Sequence, residues 1–144
     1  MNPRIATTIH FISAVPQFTV PDVVQTAEYY RDVLGFEIAG YWDGEQVHYD
    51  RSAPAVFGIV RRDTVRIHFN RADRAEGRTG RAEGAYDLYC HVAGVDDLAE
   101  ELRRRGAAIL EGPANRVYGQ RELVVRDCNG LILAFGEATR GLAT

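Results

Sequence analysis

Cysteine is scarce in this chain: among its 144 residues, only Cys90 and Cys128 carry a thiol. Neither belongs to a C-x-x-C motif, and their spacing does not match that of metal-binding cysteine pairs. This scarcity argues against a disulfide scaffold and indicates buried thiols in a reducing compartment. The N-terminus shows no basic head followed by a long apolar run, so we expect a cytoplasmic protein.

Long apolar runs and an excess of positive charge are also missing. No stretch approaches the roughly 18 apolar residues that a membrane span needs. The net charge is -3, which argues against nucleic acid as a partner because phosphate binding requires a basic face. The chain has no G-x-S-x-G elbow, phosphate loop or G-x-G-x-x-G motif after a strand. With 46% hydrophobic residues, it nevertheless has the material for a sizeable core.

One pattern is present twice, and its first copy begins with the alternating apolar residues Phe18 and Val20. Asp22 follows as a predicted helix N-cap, with Gln25 at the capping-box spacing. Apolar residues then recur at helical spacing until Gly35, where a left-handed residue is predicted to end the helix. Turn signals separate three further predicted strands before residue 70.

The second copy repeats this order after a stretch rich in Arg, Glu, Gly and Ala, which we interpret as an exposed linker. Residues 88–92 alternate as a strand, and Asp97 is predicted to begin a helix with Glu100 at another capping-box spacing. Gly106 is predicted to end that helix, and three strands follow. One unit alone would bury too little apolar surface, so the two copies are expected to fold together.

Several short motifs in both copies resemble the vicinal oxygen chelate superfamily, which includes glyoxalase I, extradiol dioxygenases, fosfomycin-resistance enzymes and bleomycin-binding proteins. The motifs are the Asp22 cap, Tyr29-Tyr30 and Leu34-Gly35-Phe36 in the first copy, and Tyr118-Gly119, Arg121-Glu122 and Asp127-Cys128-Asn129-Gly130 in the second. The resemblance covers most of residues 15–137. Within that superfamily, the chain is most similar to the metal-free, bleomycin-resistance-like members.

The resemblance implies an α+β fold made of two βαβββ modules. Their sheets would form a curled, partly open mixed β-sheet cavity with the helices outside. We expect one domain over residues 1–144, with module one at about 13–70, a linker at about 71–85 and module two at about 86–137. Many relatives are dimers, so a homodimer is expected. The modules pair either within one chain or between two chains, and both arrangements stay open at this point.

The resemblance also implies four metal-ligand positions, one on each of four strands. Counted from shared landmarks, they fall at Val15, His68, Asp87 and Ala134. Two of these side chains cannot coordinate an ion, whereas a catalytic metal site normally has three protein ligands. We therefore predict neither a metal nor another cofactor. As an alternative, His68, Asp87 and His91 would form a site for a divalent metal such as Zn²⁺, Ni²⁺, Fe²⁺ or Mn²⁺.

Strand alternation assigns the side chains that face the expected cavity. The predicted ligand-binding residues are Gln17, Thr19, Trp42, Phe57, His68, Asn70, Asp87, Tyr89, His91 and Tyr118. Trp42, Phe57 and Tyr118 are equally compatible with core or dimer contacts, and Asp87 with a strand-end cap. Arg121 and Glu122 are interpreted as members of structural ion pairs. Aromatic walls with a few polar groups favour a planar, partly polar small molecule.

The sequence thus predicts a metal-independent protein that binds and sequesters an antibiotic-like small molecule, with no catalytic residue assigned. The alternative is a divalent-metal-dependent lyase, isomerase or extradiol-type dioxygenase acting on vicinal oxygens. A third interpretation is a dimeric structural module without a ligand. The expected partners are a small-molecule ligand and a second copy of the chain, with neither nucleic acid nor membrane.

Overall fold

The computed structural model describes residues 8–51, 54–72 and 85–139. In the first half of the chain, it contains β1 (Gln17–Val20), α1 (Val23–Asp32), β2 (Glu37–Trp42), β3 (Val47–His48), β4 (Phe57–Arg62) and β5 (Val65–Arg71). In the second half it contains β6 (Leu88–His91), α2 (Val95–Arg104), β7 (Ala108–Asn115), β8 (Gln120–Arg126) and β9 (Ile132–Ala138). In these described ranges, no helix has the length and apolar character that crossing a bilayer requires.

Each half forms its own mixed sheet, and the predicted duplication is confirmed. Sheet one has the order β1-β5-β4-β2-β3, and sheet two has the order β6-β9-β8-β7. In both sheets the strand before the helix pairs in parallel with the last strand of its half, while the other pairs are antiparallel. The two-residue strand β3 is an addition to the βαβββ plan. The predicted α+β fold of two modules is therefore correct.

Helix α1 begins as the sequence predicts. The carboxylate of Asp22 accepts a hydrogen bond from the backbone N–H of Gln25 at 2.9 Å. The helix buries Val23, Ala27 and Tyr30, whose spacing of three and four residues places them on one face. This face packs on β2, β4 and β5 and forms the core of the first half.

Helix α2 begins earlier than predicted, at Val95 rather than Asp97. Gly94 precedes it in a left-handed conformation, with φ of 85°, and no side chain of its own segment caps the helix. The Glu137 carboxylate instead accepts hydrogen bonds from the backbone N–H groups of Gly94 and Val95, at 2.8 and 3.1 Å. The predicted capping box with Glu100 is therefore wrong, because a strand more than forty residues later supplies the cap.

The predicted linker also begins later than expected. Strand β5 continues to Arg71, so the first residue assigned to the linker pairs with the sheet. Its partner is Val20 on the parallel strand β1. Most of the remaining predicted linker, residues 73–84, lies outside the described residues.

The two halves join on the sides of the sheets that carry the helices. The hydroxyl of Tyr30 on α1 donates to the Asp127 carboxylate after β8 at 2.7 Å, and both residues are buried. Arg62 at the end of β4 forms an ion pair with Glu101 on α2 at 2.8 Å. The fully buried side chains of this shared core include Tyr30, Leu34, Ile67, Phe69, Leu102, Leu123 and Leu133. The opposite surfaces of the sheets, here called open face one and open face two, are where the predicted site residues lie.

Candidate functional site

Open face one collects the predicted site residues of the first half. Directly paired residues of neighbouring strands point to the same side of a sheet, so the strand register defines rows across it. One row contains Thr19, Asn70, Phe57 and Trp42, and the adjacent row contains Gln17, His68 and Ile59. The structure therefore brings together all six residues predicted for this half.

The side chains of these two rows form a partly aromatic, uncharged floor, and Arg61 and Arg66 form the next row of the same face. The Phe57 ring meets the His68 ring edge-on, with centroids 5.1 Å apart. Asn70 donates to the Gln17 side-chain oxygen at 3.1 Å. Burial, together with the nearby Arg66 guanidinium, lowers the pKa of His68 below its usual value. The imidazole is therefore neutral at pH 7, and this part of the face offers neutral polar groups beside aromatic rings.

Open face two is organised around Glu122, a carboxylate on β8 that is 0% exposed. Its Oε2 atom accepts a hydrogen bond from the Tyr89 hydroxyl at 2.7 Å. Its Oε1 atom accepts from the Tyr118 hydroxyl at 2.7 Å and from Arg116 Nε at 3.0 Å. We call these four side chains the Glu122 cluster. A buried carboxylate is costly unless it is paired and hydrogen-bonded, and the cluster meets both conditions.

A glycine on β9 gives Tyr89 its route to Glu122. Strand β9 lies between β6 and β8, and Gly136 is paired with His91 on one side and with Glu122 on the other. A Cβ atom added at Gly136 would lie 2.1 Å from the Tyr89 hydroxyl oxygen. The phenol thus crosses the middle strand through the space that a side chain would otherwise fill.

The charges in the Glu122 cluster follow from burial and hydrogen bonding. Burial alone would raise the pKa of Glu122, but hydrogen bonds from Tyr118, Tyr89 and Arg116 outweigh it and hold the pKa below its usual value. Burial and the same hydrogen bonds raise the pKa of Tyr118 to about 12, and they raise that of Tyr89 further. At neutral pH the cluster therefore holds an ionised carboxylate and two protonated phenols.

The other predicted residues of the second half occupy the edges of open face two. The Asp87 carboxylate accepts a hydrogen bond from the backbone N–H of Ile132 at 2.8 Å, which fixes the start of β9. His91 is exposed, and its ring centroid lies 5.2 Å from that of Tyr89. Tyr118 stands on the β7–β8 hairpin with 56% of its surface exposed, although its hydroxyl reaches Glu122.

The donor set of this chain does not fit the metal site that the fold family implies. The side chains of Val15 and Ala134 carry no donor atom; of the other two positions, His68 lies on β5 and Asp87 accepts a hydrogen bond from Ile132. Across residues 8–51, 54–72 and 85–139, no three His, Cys, Asp or Glu side chains come together as a possible ligand set. The Glu122 carboxylate already accepts two phenol hydrogens and one guanidinium hydrogen.

Glu122 is the main site residue that the sequence interpretation missed. Arg121 and Glu122 each form an ion pair, as predicted: Arg121 with Asp96 at 2.9 Å, and Glu122, on the other side of the strand, with Arg116 at 3.0 Å. The position of Glu122 on open face two was not predicted. Period-two alternation from Gln120 would have placed Glu122 on the cavity side. The Tyr89 and Arg116 contacts that make it a cluster could not be read from this alternation.

A cleft of about 430 Å³ lies between the halves on their helix-bearing sides. Its apolar lining includes Leu34 and Phe36 from the first half, and Leu98, Leu102 and Phe135 from the second. The sequence did not predict this cleft. None of the predicted site residues except His91 lines it.

Comparison with known proteins identifies the family of this architecture. The model of the Glyoxalase/Bleomycin resistance protein/Dioxygenase superfamily matches residues 8–135. A curated relative, the 2-epi-5-epi-valiolone epimerase of an Actinomyces species, is 27% identical in an alignment 132 positions long; the match covers 83% of this chain and 66% of the relative. The chain thus spans just under two thirds of that relative's length.

Two solved structures show the same fold. TioX from Micromonospora sp. ML1 superposes with a TM-score of 0.65 and 17% identity, covering 86% of this chain and 96% of TioX. The bleomycin-binding protein from bleomycin-producing Streptomyces verticillus, crystallised with copper(II)-bleomycin, gives a TM-score of 0.59 and 27% identity. That match covers 89% of this chain and 97% of the bleomycin-binding protein.

Proposed function

The chain belongs to the glyoxalase/bleomycin resistance protein/dioxygenase superfamily, and from this premise we propose that it binds and sequesters an antibiotic-like small molecule without a metal ion. The observation that carries the proposal is the Glu122 cluster. The buried Glu122 carboxylate of open face two is saturated by Tyr89, Tyr118 and Arg116, so it is not free to bind a metal ion. The 27% identity to a bleomycin-binding protein supports the same class of function.

A homodimer would complete the binding cavity. The open faces lie on separate sheets, while the halves of one chain join on the opposite, helix-bearing sides. Open face one of one copy would therefore meet open face two of another. The segment before β1 supports this arrangement, because Ile9, Phe11 and Ile12 are 83%, 100% and 87% exposed in the single chain. Such apolar side chains in water favour burial against a partner.

Titration of a chelator-treated sample tests the binding function. Bleomycin and a panel of aromatic antibiotics would be added to the full chain, with calorimetry reporting affinity and mass spectrometry reporting the ligand before and after. We expect stoichiometric binding with unchanged ligand mass. Arg121→Gln serves as a control variant because Arg121 lies off the open face, bonded to Asp96 and Asn115. Failure to bind any compound of the panel would contradict the proposal.

Native mass spectrometry of protein from its own source tests the metal and the dimer together. The proposal predicts a dimer mass with no stoichiometric metal. A near-stoichiometric Zn²⁺, Ni²⁺, Fe²⁺ or Mn²⁺ ion that survives gentle purification would instead support the metal-dependent alternative. A monomer that still binds the ligand would support the binding function and contradict the dimer.

A second candidate is an isomerase, which the 27% identity to an epimerase favours. Epimerisation removes a proton from a carbon atom and returns a proton to its opposite side. A phenol that is hydrogen-bonded to a carboxylate can relay such a proton. Tyr89 and Glu122 provide this pair at 2.7 Å. Incubation with 2-epi-5-epi-valiolone in D₂O would reveal deuterium at the inverted carbon if the chain is an epimerase. Under the sequestration proposal, neither exchange nor inversion is expected.

A further inference from the structure

The orientation of the hydrogen bonds in the Glu122 cluster decides what open face two can offer a ligand. The Tyr89 and Tyr118 hydroxyls both donate their only hydrogen to Glu122. Toward a ligand they can therefore only accept, through the remaining lone pairs of their oxygens. A phenol that donates to a carboxylate is polarised by it, which strengthens its oxygen as an acceptor. A ligand must bring the hydrogen-bond donor.

The charged group around Glu122 on open face two has a net negative charge. Arg116 donates through Nε to Glu122 and through a terminal nitrogen to Glu111, so one cation serves two carboxylates. Glu111 is paired across β7 and β8 with Val124, on the same face as Glu122, and its side chain is 52% exposed. The group Glu111, Arg116 and Glu122 therefore carries a formal charge of about -1 at neutral pH.

Aromatic rings flank these acceptors. The ring centroid of Tyr89 lies 6.1 Å from that of Tyr86 and 5.2 Å from that of His91. The faces of tyrosine rings attract cations through their quadrupole, in addition to the apolar contact that any ring-bearing ligand would make. Acceptor oxygens, a net negative charge and ring faces all favour the same kind of ligand group.

We propose that open face two recognises an organic cation, a protonated amine on a ring-bearing small molecule, through the phenol oxygens of Tyr89 and Tyr118 and the charge of Glu111. This inference rests on the proposed binding function and names the ligand class for it. A neutral hydroxyl group on a ligand can also donate a hydrogen bond to the phenol oxygens, but it is not attracted by the negative charge of Glu111. Carboxylates and phosphates are disfavoured because the net negative charge of Glu111, Arg116 and Glu122 repels them.

Three probes of one shape test the inference: benzylammonium, benzyl alcohol and benzoate. Each would be titrated into the ¹⁵N-labelled full chain, with the amide signals of Tyr89, Gly136 and Glu122 followed by NMR. We expect benzylammonium to bind at least about threefold more tightly than benzyl alcohol, and benzoate to bind most weakly. The preference should decrease as salt is added, because the Glu111 side chain is half exposed.

Two variants identify the groups responsible. Tyr118→Phe keeps the ring and removes one acceptor oxygen, so it should weaken benzylammonium binding several-fold; Tyr118 is exposed enough for the fold to tolerate the change. Glu111→Gln removes the unbalanced charge and should reduce the preference for benzylammonium over benzyl alcohol. Glu45→Gln is the matched control, an exposed glutamate in the first half.

The outcomes separate this inference from the binding function. Equal affinity for benzylammonium and benzyl alcohol, or tighter binding of benzoate, would overturn the cation assignment while leaving a small-molecule binding face. No shift on open face two with any probe would count against both proposals. Unchanged selectivity in the Glu111→Gln variant would remove Glu111 from the recognition.

Discussion

The Tyr89 hydroxyl occupies the position in which a side chain at Gly136 would stand. A Cβ atom on Gly136 would come within 2.1 Å of that oxygen, closer than any real contact allows. Gly136 carries no positive φ, so its backbone would accept alanine without strain. The glycine is required for the close approach of Tyr89 to Glu122, and this makes its replacement a specific probe of the Glu122 cluster.

Gly136→Ala should displace Tyr89 from Glu122. The buried carboxylate would lose one donor, and leaving a buried charged group short of a partner costs about 1–3 kcal/mol. We expect the free energy of unfolding, measured by urea titration at pH 7, to fall by about that amount. Binding to open face two should weaken in the same variant.

A double-variant cycle controls this experiment. In a Tyr89→Ala background the phenol is absent, so Gly136→Ala should cost much less than it does in the wild-type chain. Contacting residues give such non-additive effects, whereas independent residues add within a few tenths of a kcal/mol. Additive costs would show that Tyr89 and Gly136 do not compete for one space.

Two neighbouring tyrosines give a matched test of the contact between the halves. Tyr30 is fully buried and donates to the buried Asp127 carboxylate at 2.7 Å, whereas Tyr29 reaches only the carbonyl oxygen of Arg126, at 3.5 Å. Tyr30→Phe leaves a buried carboxylate short of one donor and should cost about 1–3 kcal/mol in urea denaturation. Tyr29→Phe should stay within about 0.5 kcal/mol of the wild-type chain. Equal costs would contradict the assigned role of Tyr30.

The sequence predicted those parts of the fold that depend on near neighbours. The cap of α1 joins Asp22 to Gln25, three residues apart, and the apolar spacing of that helix is set by its own geometry. Strand alternation likewise placed Gln17, His68 and Asn70 on one side of their sheet, because the period of a strand is a local property. Duplication of the plan then extended the prediction to both halves.

Two of the missed features come from residues far apart in the chain. Glu137 caps α2 from a strand 42 residues after Val95. Glu122 and Tyr89 are separated by 33 residues and meet only because β9 lies between their strands. A polar residue alone does not show which distant partner it will contact, so the ion pair of Glu122 was predicted correctly but its hydrogen bond from Tyr89 was not. Such contacts depend on how distant strands pair in the sheet, and this pairing cannot be read from a single sequence.

Self-association should depend on the exposed apolar segment before β1. Phe11→Ser removes a ring that is 100% exposed in the single chain and that the dimer proposal buries against a second copy. We expect the dimer dissociation constant, measured by sedimentation equilibrium, to rise by about tenfold or more, the equivalent of 1.4 kcal/mol. The free energy of unfolding of the monomer should hardly change.

Tyr49→Ser is the control for that variant. Tyr49 is also largely exposed, at 74%, but it lies beside Glu28 and Arg31 of α1, on the helix-bearing side of sheet one. Its replacement should leave the dimer dissociation constant within about twofold, since surface substitutions elsewhere rarely exceed 0.5 kcal/mol. A wild-type chain that is monomeric at high concentration, or a Phe11→Ser chain that dimerises normally, would contradict the role of this segment.

The acid stability of the chain should report the charge on Glu122. Its folded-state pKa lies below its usual value, so its contribution to stability is present above pH about 4.5 and is lost as the pH falls through the lower, folded-state pKa. Glu122→Gln removes this contribution, and we expect a destabilisation of about 2 kcal/mol at pH 6 that shrinks toward pH 3. Comparing urea titrations of the two chains at each pH cancels the titration of all other groups, including Asp127, whose pKa burial raises. Asp96→Asn is the control: it removes an exposed carboxylate whose pKa is lowered by Arg121. Because solvent screens this ion pair, the stability difference from wild type should change less with pH than it does for Glu122→Gln. If the difference between wild type and Glu122→Gln instead grew as the pH fell, the folded-state pKa of Glu122 would be raised, and the cluster would hold a neutral acid rather than an ionised carboxylate.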